Sequence, residues 1–450
     1  MSSRTRGPGA HGALLALVAL FTAGYLAPYL LPTVVGRLAS GLALAPSQAG
    51  LIGSVLLLGS SSAGFALAAR GRRIPPRRAA RAGLLAMAFG YGSAAATDIV
   101  PLVIAGAVLG GIGSGTATAT AVAGIAGRED PHRASSLGLL SVSATAGALY
   151  LTLPHLGGGH ATPLLAIAAA AVLMWPLTGR LGNAATPATP AAVREPSTAS
   201  SPLPHRRAGA VLAGSILLWS LAQNALWGVS GRIGLTQAHL SEVTVGAVFA
   251  AALGAGLVGV TAAGALGSRL GRAVPIGVGT VLIAACVLLS SASESLTSFA
   301  TGEILWNAVY PVVLSYLLGL AASLDPRGRW AVLVGAASSL GVACGPAAGS
   351  LLSDAAGYPG MGAALCALLL LVAAPMTAVA RHASGRPLVP GSIRRRGGAP
   401  AAILAGRTTV TPLVPQMGAP EQEVTPLRVP APRRRATKSA YDLARPSDRG

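Results

Sequence analysis

Twelve apolar blocks, each about as long as a membrane-spanning helix, constrain the fold of this chain more than any other feature. A helix needs about 20 apolar residues to cross the hydrocarbon core of a bilayer, whereas the strands of a membrane β-barrel alternate over about ten residues. Unbroken runs such as VLMWPL and ALLLLVAAP do not alternate. The sequence therefore predicts an all-α integral membrane protein with twelve transmembrane helices. The blocks lie near residues 13–35, 47–69, 79–97, 101–124, 135–155, 162–180, 208–228, 242–264, 273–292, 298–321, 331–353 and 361–380.

Basic residues fall almost entirely on one side of these blocks. If the N-terminus is cytoplasmic, all but two of the 33 Lys and Arg face the cytoplasm, and only Arg37 and Arg232 fall in outer loops. This asymmetry is the positive-inside rule. It predicts a multi-pass protein of the plasma membrane with both termini in the cytoplasm. It also accounts for the net charge of +20 without a nucleic-acid partner.

Only 10% of the residues are charged, compared with roughly 25% in a soluble protein. The three cysteines, Cys286, Cys344 and Cys366, all lie within predicted spans. We therefore expect no disulfide framework, no metal site and no cofactor.

A segment rich in Pro, Ala, Ser and Thr separates the sixth block from the seventh and has no apolar periodicity, which is typical of a flexible linker. We expect the basic tail to be disordered and to lie on anionic lipid. The predicted domains are an N-terminal six-helix bundle (1–182), a flexible cytoplasmic linker (183–207), a C-terminal six-helix bundle (208–381) and a disordered cytoplasmic tail (382–450).

The two halves of the chain repeat each other. Residues 64–72 read GFALAARGR and residues 264–272 read GALGSRLGR. Residues 129–138 end in ASSLG after an Asp-Pro pair, and residues 324–341 follow the same order over a longer loop. Parallel repeats of this kind build transporters with two related helix bundles. The repeat predicts two bundles related by a pseudo-two-fold axis.

The repeated turn resembles the G-x-L-a-D-r-x-G-r signature of the major facilitator superfamily. The resemblance covers residues 13 to 381 and implies alternating access between two bundles. In the family these arginines latch to neighbouring helix ends, whereas a plain basic loop would only orient the chain. Both copies lack the acidic residue of the signature, because Ala68 and Ser268 stand in its place. The candidate gating residues are Gly64, Gly71 and Arg72 in the first half, and Gly264, Arg269, Gly271 and Arg272 in the second.

A second motif resembles g-x-x-x-G-P-x-x-G-G, which the superfamily usually carries on the fifth helix of antiporters. Here it lies on the eleventh span, as Gly341, Gly345, Pro346 and Gly349. Small residues and a proline kink suit close helix packing. We therefore predict a helix-packing motif, and its position in the second half gives only weak support for antiport.

Glu303 is the one acidic residue placed inside a predicted span. An ionisable residue at such a depth is costly and is a functional candidate by default. We predict that it binds the coupling proton. The alternative is a carboxylate close to a helix N-terminus, stabilised by the helix dipole and by headgroup water.

Aromatic and polar residues recur at helical spacing on spans one, seven and ten, and threonines on span four. The resemblance implies that these four spans line the substrate cavity. A belt at the membrane interface is the alternative for Tyr29 and Trp227, and interhelical hydrogen bonding is the alternative for Gln223 and Asn307. The candidate substrate-binding residues are Tyr25, Tyr29, Thr116, Trp219, Gln223, Asn224, Trp227, Trp306, Asn307 and Tyr310.

The predicted cavity contains no Arg or Lys, which favours a small substrate that is neutral or amphipathic and cationic. The leading interpretation is a monomeric secondary transporter that resembles the drug and metabolite efflux branch, exchanges protons and works in a lipid bilayer. The alternatives are an uptake permease for a neutral solute and a non-transporting scaffold or receptor. The sequence contains no HExxH or GxSxG motif, so we do not expect an enzyme.

Overall fold

The computed structural model describes residues 8–69, 74–157, 159–182, 203–267, 270–325 and 328–384, and these contain helices and no strand. Ten of the helices are long and apolar enough to cross a membrane. One of them has a non-helical backbone at Gly357, with φ 68° and ψ 173°, so it contains two spans. A further helix begins PRRAAR, and its arginines lower its hydropathy. The predicted all-α membrane fold with twelve spans is confirmed.

In the described part of the N-terminal bundle there are seven helices, and the first two are parts of one kinked span. Short 3₁₀ turns, Leu153–Leu156 and Trp175–Arg180, extend the last two. The helices are α1 Pro8–Tyr29, α2 Leu31–Gly41, α3 Pro46–Ala69, α4 Pro76–Ala95, α5 Val100–Ala126, α6 Pro131–Thr152 and α7 Ala161–Met174.

Among the described residues, the C-terminal bundle has five helices: α8 Arg206–Arg232, α9 Glu242–Leu266, α10 Ala273–Ser291, α11 Leu296–Ser323 and α12 Arg329–Ser384. A π-helical turn, Ile233–Gln237, follows α8. Because the chain crosses twelve times, Pro8 and Ser384 lie on the same side. We call that side the terminal face and the opposite side the distal face. The predicted linker and tail lie mostly outside the described residues.

The kink between α1 and α2 arises at Pro32, which has no backbone N–H to donate to the carbonyl of Pro28. Trp227 of the C-terminal bundle takes its place, with Nε1 donating to the Pro28 carbonyl over 3.1 Å. The hydroxyl of Tyr150 donates to the neighbouring carbonyl of Tyr29. Two side chains from other helices therefore satisfy the backbone where the first span bends.

The two bundles meet along two related pairs of helices. In one pair, a Cβ at Gly50 of α3 would lie 2.7 Å from the carbonyl oxygen of Pro346 in α12. In the other, a Cβ at Gly246 of α9 would lie 3.6 Å from the ring of Pro154, next to α6. The second and fifth spans of each repeat thus form the interface, as a pseudo-two-fold axis requires.

The predicted helix-packing motif lies against α8. A Cβ at Gly345 would lie 2.5 Å from the Cβ of Asn224, a separation that real Cβ atoms do not adopt. Gly341 and Gly349 face the backbone of α8 in the same way. Only glycine lets the two helices approach this closely.

Replacing Gly345 with alanine is therefore expected to lower the thermal unfolding midpoint in detergent by several degrees, since overpacking typically costs about 1–3 kcal/mol. Gly254→Ala is the matched control, because its Cβ would meet nothing within 4 Å. We expect this control to leave the midpoint unchanged or to raise it, since alanine is the better helix former. Equal midpoints for the two variants would contradict the packing role.

Candidate functional site

Four aromatic residues between α8 and α11 form a buried group that we call the aromatic cluster: Trp219, Trp227, Trp306 and Tyr310. Trp219 and Tyr310 are stacked, with ring centroids 5.2 Å apart and an interplanar angle of 11°. Trp306 lies 5.7 Å from Trp227 and 6.1 Å from Tyr310. The structure thus brings together all four of the aromatic candidates predicted on spans seven and ten.

The spacing of these residues explains why they meet. Trp219, Gln223 and Trp227 are four residues apart and so share one face of α8, and Trp306 and Tyr310 share one face of α11. The predicted belt at the membrane interface does not fit this geometry, because Trp227 is only 1% exposed and donates its indole N–H to the other bundle. Tyr29 is buried as well, with 2% of its surface exposed.

Gln223 is held in one orientation by the aromatic cluster. The indole N–H of Trp306 donates to Oε1 of Gln223. An indole nitrogen is a donor only, so the amide oxygen is fixed as the acceptor and the amide NH₂ is directed elsewhere. Within the described residues, neither Nε2 of Gln223 nor Nε1 of Trp219 has a hydrogen-bond partner, although both side chains are 0% exposed.

Glu303 lies on α11, one turn before Trp306, and is 0% exposed. The hydroxyls of Ser230 in α8 and Ser290 in α10 lie 2.8 and 2.7 Å from its Oε1. Its Oε2 has no partner in the part of the chain that the structure describes, and no salt bridge found there includes it. Such burial disfavours the alternative of a carboxylate wetted by headgroup water.

The hydroxyls around Glu303 are arranged to accommodate two protonation states. Ser230 Oγ also lies 3.0 Å from the carbonyl oxygen of Leu226, yet a hydroxyl has only one proton to donate. When Glu303 is ionised, both serines donate to Oε1. When it is protonated, its own O–H donates to Ser230, which then donates to Leu226. The hydrogen bond between Glu303 Oε1 and Ser230 can therefore form with or without the proton, whereas Oε2 has no partner among the described residues in this conformation.

The two asparagine candidates occupy local roles. Asn307 Nδ2 donates to the backbone carbonyl of Glu303 over 3.0 Å, which links the turn that carries Glu303 to the turn that carries Trp306. Asn224 Nδ2 donates to the carbonyl of Ser220 over 2.9 Å and packs against Gly345. Asn224 therefore faces α12 and lies apart from the aromatic cluster.

The candidates on spans one and four are placed differently from one another. Tyr25 packs on Phe21, with ring centroids 4.5 Å apart, and Tyr29 lies at the kink beside Tyr150. Thr116 hydrogen-bonds the carbonyl of Ile112 and faces α4, where a Cβ at Gly83 would lie 3.3 Å from it. The structure thus separates Thr116 from the aromatic cluster.

Several residues near the aromatic cluster were not among the candidates predicted from the sequence. Phe249 lies 5.2 Å from Trp227 and 5.1 Å from Tyr150, and so connects the cluster to α6 of the other bundle. Ser230 lies seven residues after Gln223 on the same face of α8, a periodicity that would have found it. Ser290 had no such signal, because only the fold brings α10 next to Glu303.

Of the candidate gating residues, Gly64, Gly264, Gly271 and Arg272 lie towards the terminal face. The others, Gly71, Arg72 and Arg269, fall outside the described residues. Gly64 and Gly264 lie near the ends of α3 and α9. Gly271 has a φ of 66°, which favours glycine. Arg272 Nη1 donates to Ser323 Oγ over 2.6 Å, in the last turn of α11. Its role in gating stays a prediction.

The distal face carries a charged contact between the bundles. Arg37 of α2 donates to Glu242 Oε2 of α9 over 2.8 Å, and to the carbonyls of Leu153 and Gly157 in its own bundle. The expected loop position of Arg37 is wrong, because α2 continues to Gly41 and the side chain is buried.

Arg232 is likewise buried within a helix and not in a loop. It is the last residue of α8, and its guanidinium lies 3.3 Å from Ser350 Oγ and 6.0 Å from the ring centre of Tyr358. The helical structure continues past it through the π-helical turn. Both exceptions to the charge asymmetry are thus side chains that hold helices together.

Further contacts join the bundles in the same half of the molecule. The backbone N–H of Ser47, at the start of α3, donates to Asp354 over 2.9 Å. The N–H of Ala347 in α12 donates to the hydroxyl of Ser54, also over 2.9 Å. Together with the Trp227 and Arg37 contacts, these hydrogen bonds describe a conformation in which the bundles are joined near the distal face.

Comparison with protein families identifies this architecture. The sequence profile described as Major Facilitator Superfamily matches residues 12–326. The chain belongs to the major facilitator superfamily. This superfamily member is therefore a secondary transporter that crosses the bilayer many times and carries a small-molecule substrate. No significant match was found among curated proteins.

Two solved structures of transporters show the same fold. The human organic anion transporter MFSD10 (TETRAN) is 18% identical, with a TM-score of 0.56, and the alignment covers 82% of this chain and 100% of that one. A POT family transporter in complex with a thioalcohol-conjugated peptide is 12% identical, with a TM-score of 0.65, and the coverage is 82% and 96%. At these identities the similarity concerns the fold alone.

Proposed function

We propose that this superfamily member is a proton-coupled exporter in which Glu303 binds the proton and the aromatic cluster binds the substrate. One observation carries the proposal. Glu303 is a fully buried carboxyl group held by Ser230 and Ser290 with no salt bridge among the described residues, one turn from Trp306. A plain structural role for a carboxyl group in a membrane helix would be expected to include a basic partner.

Electrostatics connect the proton to transport. A buried negative charge without a cationic partner is costly, so the ionised form favours a conformation in which Glu303 is open to water. Protonation removes this cost and permits the closed arrangement. Asn307 hydrogen-bonds the backbone carbonyl of Glu303 and is the neighbour of Trp306 in the chain. A change in the protonation of Glu303 therefore alters the position of the aromatic cluster.

The proposed route of substrate entry rests on the distribution of charge and the closed distal face. We place the terminal face, with both termini and nearly all basic loops, in the cytoplasm of a plasma-membrane protein. With the bundles joined at the distal face, a substrate would enter the cluster from the cytoplasm. We also propose that the protein is a monomer, that residues 183–207 form a flexible linker and that residues 382–450 form a basic cytoplasmic tail.

Proton movement in liposomes tests this function. The purified full-length protein is reconstituted with a pH-sensitive dye inside, and cationic drugs, neutral aromatic drugs, sugars and amino acids are added in turn. We expect an aromatic compound entering the liposomes to release luminal protons. Sugar-driven or amino-acid-driven co-entry of protons would favour the uptake permease. If no compound of the panel caused proton movement through a protein shown to be folded, the proposal would be overturned.

A further inference from the structure

Two buried N–H groups on one face of α8 have no acceptor in the part of the chain that the structure describes. They are Nε1 of Trp219 and Nε2 of Gln223, one helical turn apart. Proteins pair almost all of their buried polar groups, because an unpaired donor removed from water is costly. Two such donors on adjacent turns therefore require an explanation.

Both groups are donors whatever the protonation state of the site. The indole nitrogen of Trp219 has no acceptor capacity. The amide of Gln223 is fixed by Trp306, whose N–H already occupies the amide oxygen. In the described part of the chain, the buried polar atoms left without a partner on this face of α8 are thus two donors, which selects for a partner that carries acceptors.

The donors belong to a face that is directed towards the other bundle. Trp227, one turn further along α8, reaches the carbonyl of Pro28 in α1. Trp219 and Gln223 therefore lie on the side of α8 where the bundles separate during transport, and not in the packed side against α12, which Ser220 and Asn224 occupy. A molecule that enters between the bundles reaches them.

The rings beside the donors are flat and uncharged. Trp219 and Tyr310 are nearly parallel, and Trp306 meets Tyr310 edge-on. Aromatic faces favour planar partners in stacked or edge-to-face arrangements. In this conformation the rings contact each other, so a bound molecule would replace part of that contact.

We propose that the substrate is an uncharged planar molecule that presents carbonyl oxygens to Trp219 and Gln223. The inference rests on the proposed function, and it narrows the neutral or cationic substrate class to neutral hydrogen-bond acceptors. A cation would meet two N–H dipoles oriented against it, and an anion would meet the carboxyl group of Glu303.

The test compares three planar probes on the full-length protein in lipid nanodiscs: fluorenone, fluorene, which lacks the carbonyl, and the cation proflavine. We expect fluorenone to raise the thermal unfolding midpoint and the other two to leave it unchanged. Equal stabilisation by fluorenone and fluorene would overturn the inference, and so would stabilisation of the wild type by proflavine alone.

Two variants locate the interaction. Trp219→Phe keeps a ring but removes the donor. We expect it to raise the Kd for fluorenone at least about fivefold, because one hydrogen bond is lost. Gln223→Glu keeps an acceptor for Trp306 and replaces the free donor with a negative oxygen, and we expect proflavine to bind in place of fluorenone. Trp175→Phe, whose ring lies beside Arg81, is the matched control and should leave both probes unaffected.

These results separate the inference from the proposed function. Fluorenone binding that depends on Trp219, without proton movement in liposomes, would support this site and reject proton coupling. Proton movement driven by cations, without fluorenone binding, would reject this site and leave proton coupling intact. If Gln223→Glu does not fold, the Trp219→Phe variant and the comparison of fluorenone with fluorene still test whether the substrate accepts hydrogen bonds from this face.

Discussion

Glu303→Gln is expected to reduce substrate-driven proton movement to the level of empty liposomes. Glutamine has nearly the same shape, and its amide oxygen can accept from Ser230 and Ser290 as Oε1 of Glu303 does. It cannot bind and release a proton. The substitution therefore removes the titration while preserving the packing, and the folded yield should be unchanged. The measurement is the rate of dye response in liposomes, with any compound that moves protons through the wild type.

Two controls make this result specific. Glu294→Gln removes an exposed carboxyl group just before α11, and we expect the wild-type rate. Glu303→Asp retains a titrating group on a shorter side chain, so partial activity should return. Substrate exchange at equal pH should survive in Glu303→Gln, because it requires no net proton transfer. An unchanged proton rate in Glu303→Gln would reject Glu303 as the coupling group.

Arg37→Met is expected to shift the population towards a conformation open at the distal face, by about tenfold. The substitution removes the bond to Glu242 between the bundles and leaves the carbonyls of Leu153 and Gly157 without this donor. Charge-assisted hydrogen bonds are worth about 1.5–3 kcal/mol, but Glu242 is 47% exposed and solvent weakens the pair. A net effect of about 1.4 kcal/mol corresponds to the tenfold shift.

Pulsed electron paramagnetic resonance can follow this shift. Spin labels at Ser40 and Val243, both exposed at the distal face, would lie on opposite bundles in a protein whose three native cysteines are replaced. A longer distance should become populated in Arg37→Met. Glu242→Gln should have a smaller effect, since Arg37 keeps its carbonyl contacts. Arg207→Met, at the terminal face, is the control. Unchanged distances in Arg37→Met would contradict the role of Arg37 in closure.

Periodic features of the sequence predicted the fold and the residues that meet in the aromatic cluster. The apolar blocks gave the spans, and the repeat gave the two related bundles. Trp219, Gln223 and Trp227 were found together because a spacing of four residues places side chains on one helix face, whatever that face meets. This kind of information is local, and so it is available without the fold.

The remaining features depend on how helices are rotated and which helices are neighbours. Thr116 lies on a helix that is apolar on all sides, so its sequence does not fix which face meets α4. Ser290 acts on Glu303 only because α10 packs beside α11. Arg37 was expected in a loop because a span predicted from hydropathy ends before the first charged residue. The helix in fact continues past Arg37, and carbonyl oxygens accept hydrogen bonds from its guanidinium.

The bend in the first span depends on a single missing amide hydrogen, that of Pro32. The carbonyl of Pro28 is open to the indole of Trp227 because Pro32 brings no amide hydrogen of its own. Any other amino acid at position 32 would supply that hydrogen, and the helix would compete with Trp227 for the same oxygen. The two halves of the protein are thus joined here because one backbone carbonyl has no donor within its own helix, and straightening that helix would release Trp227.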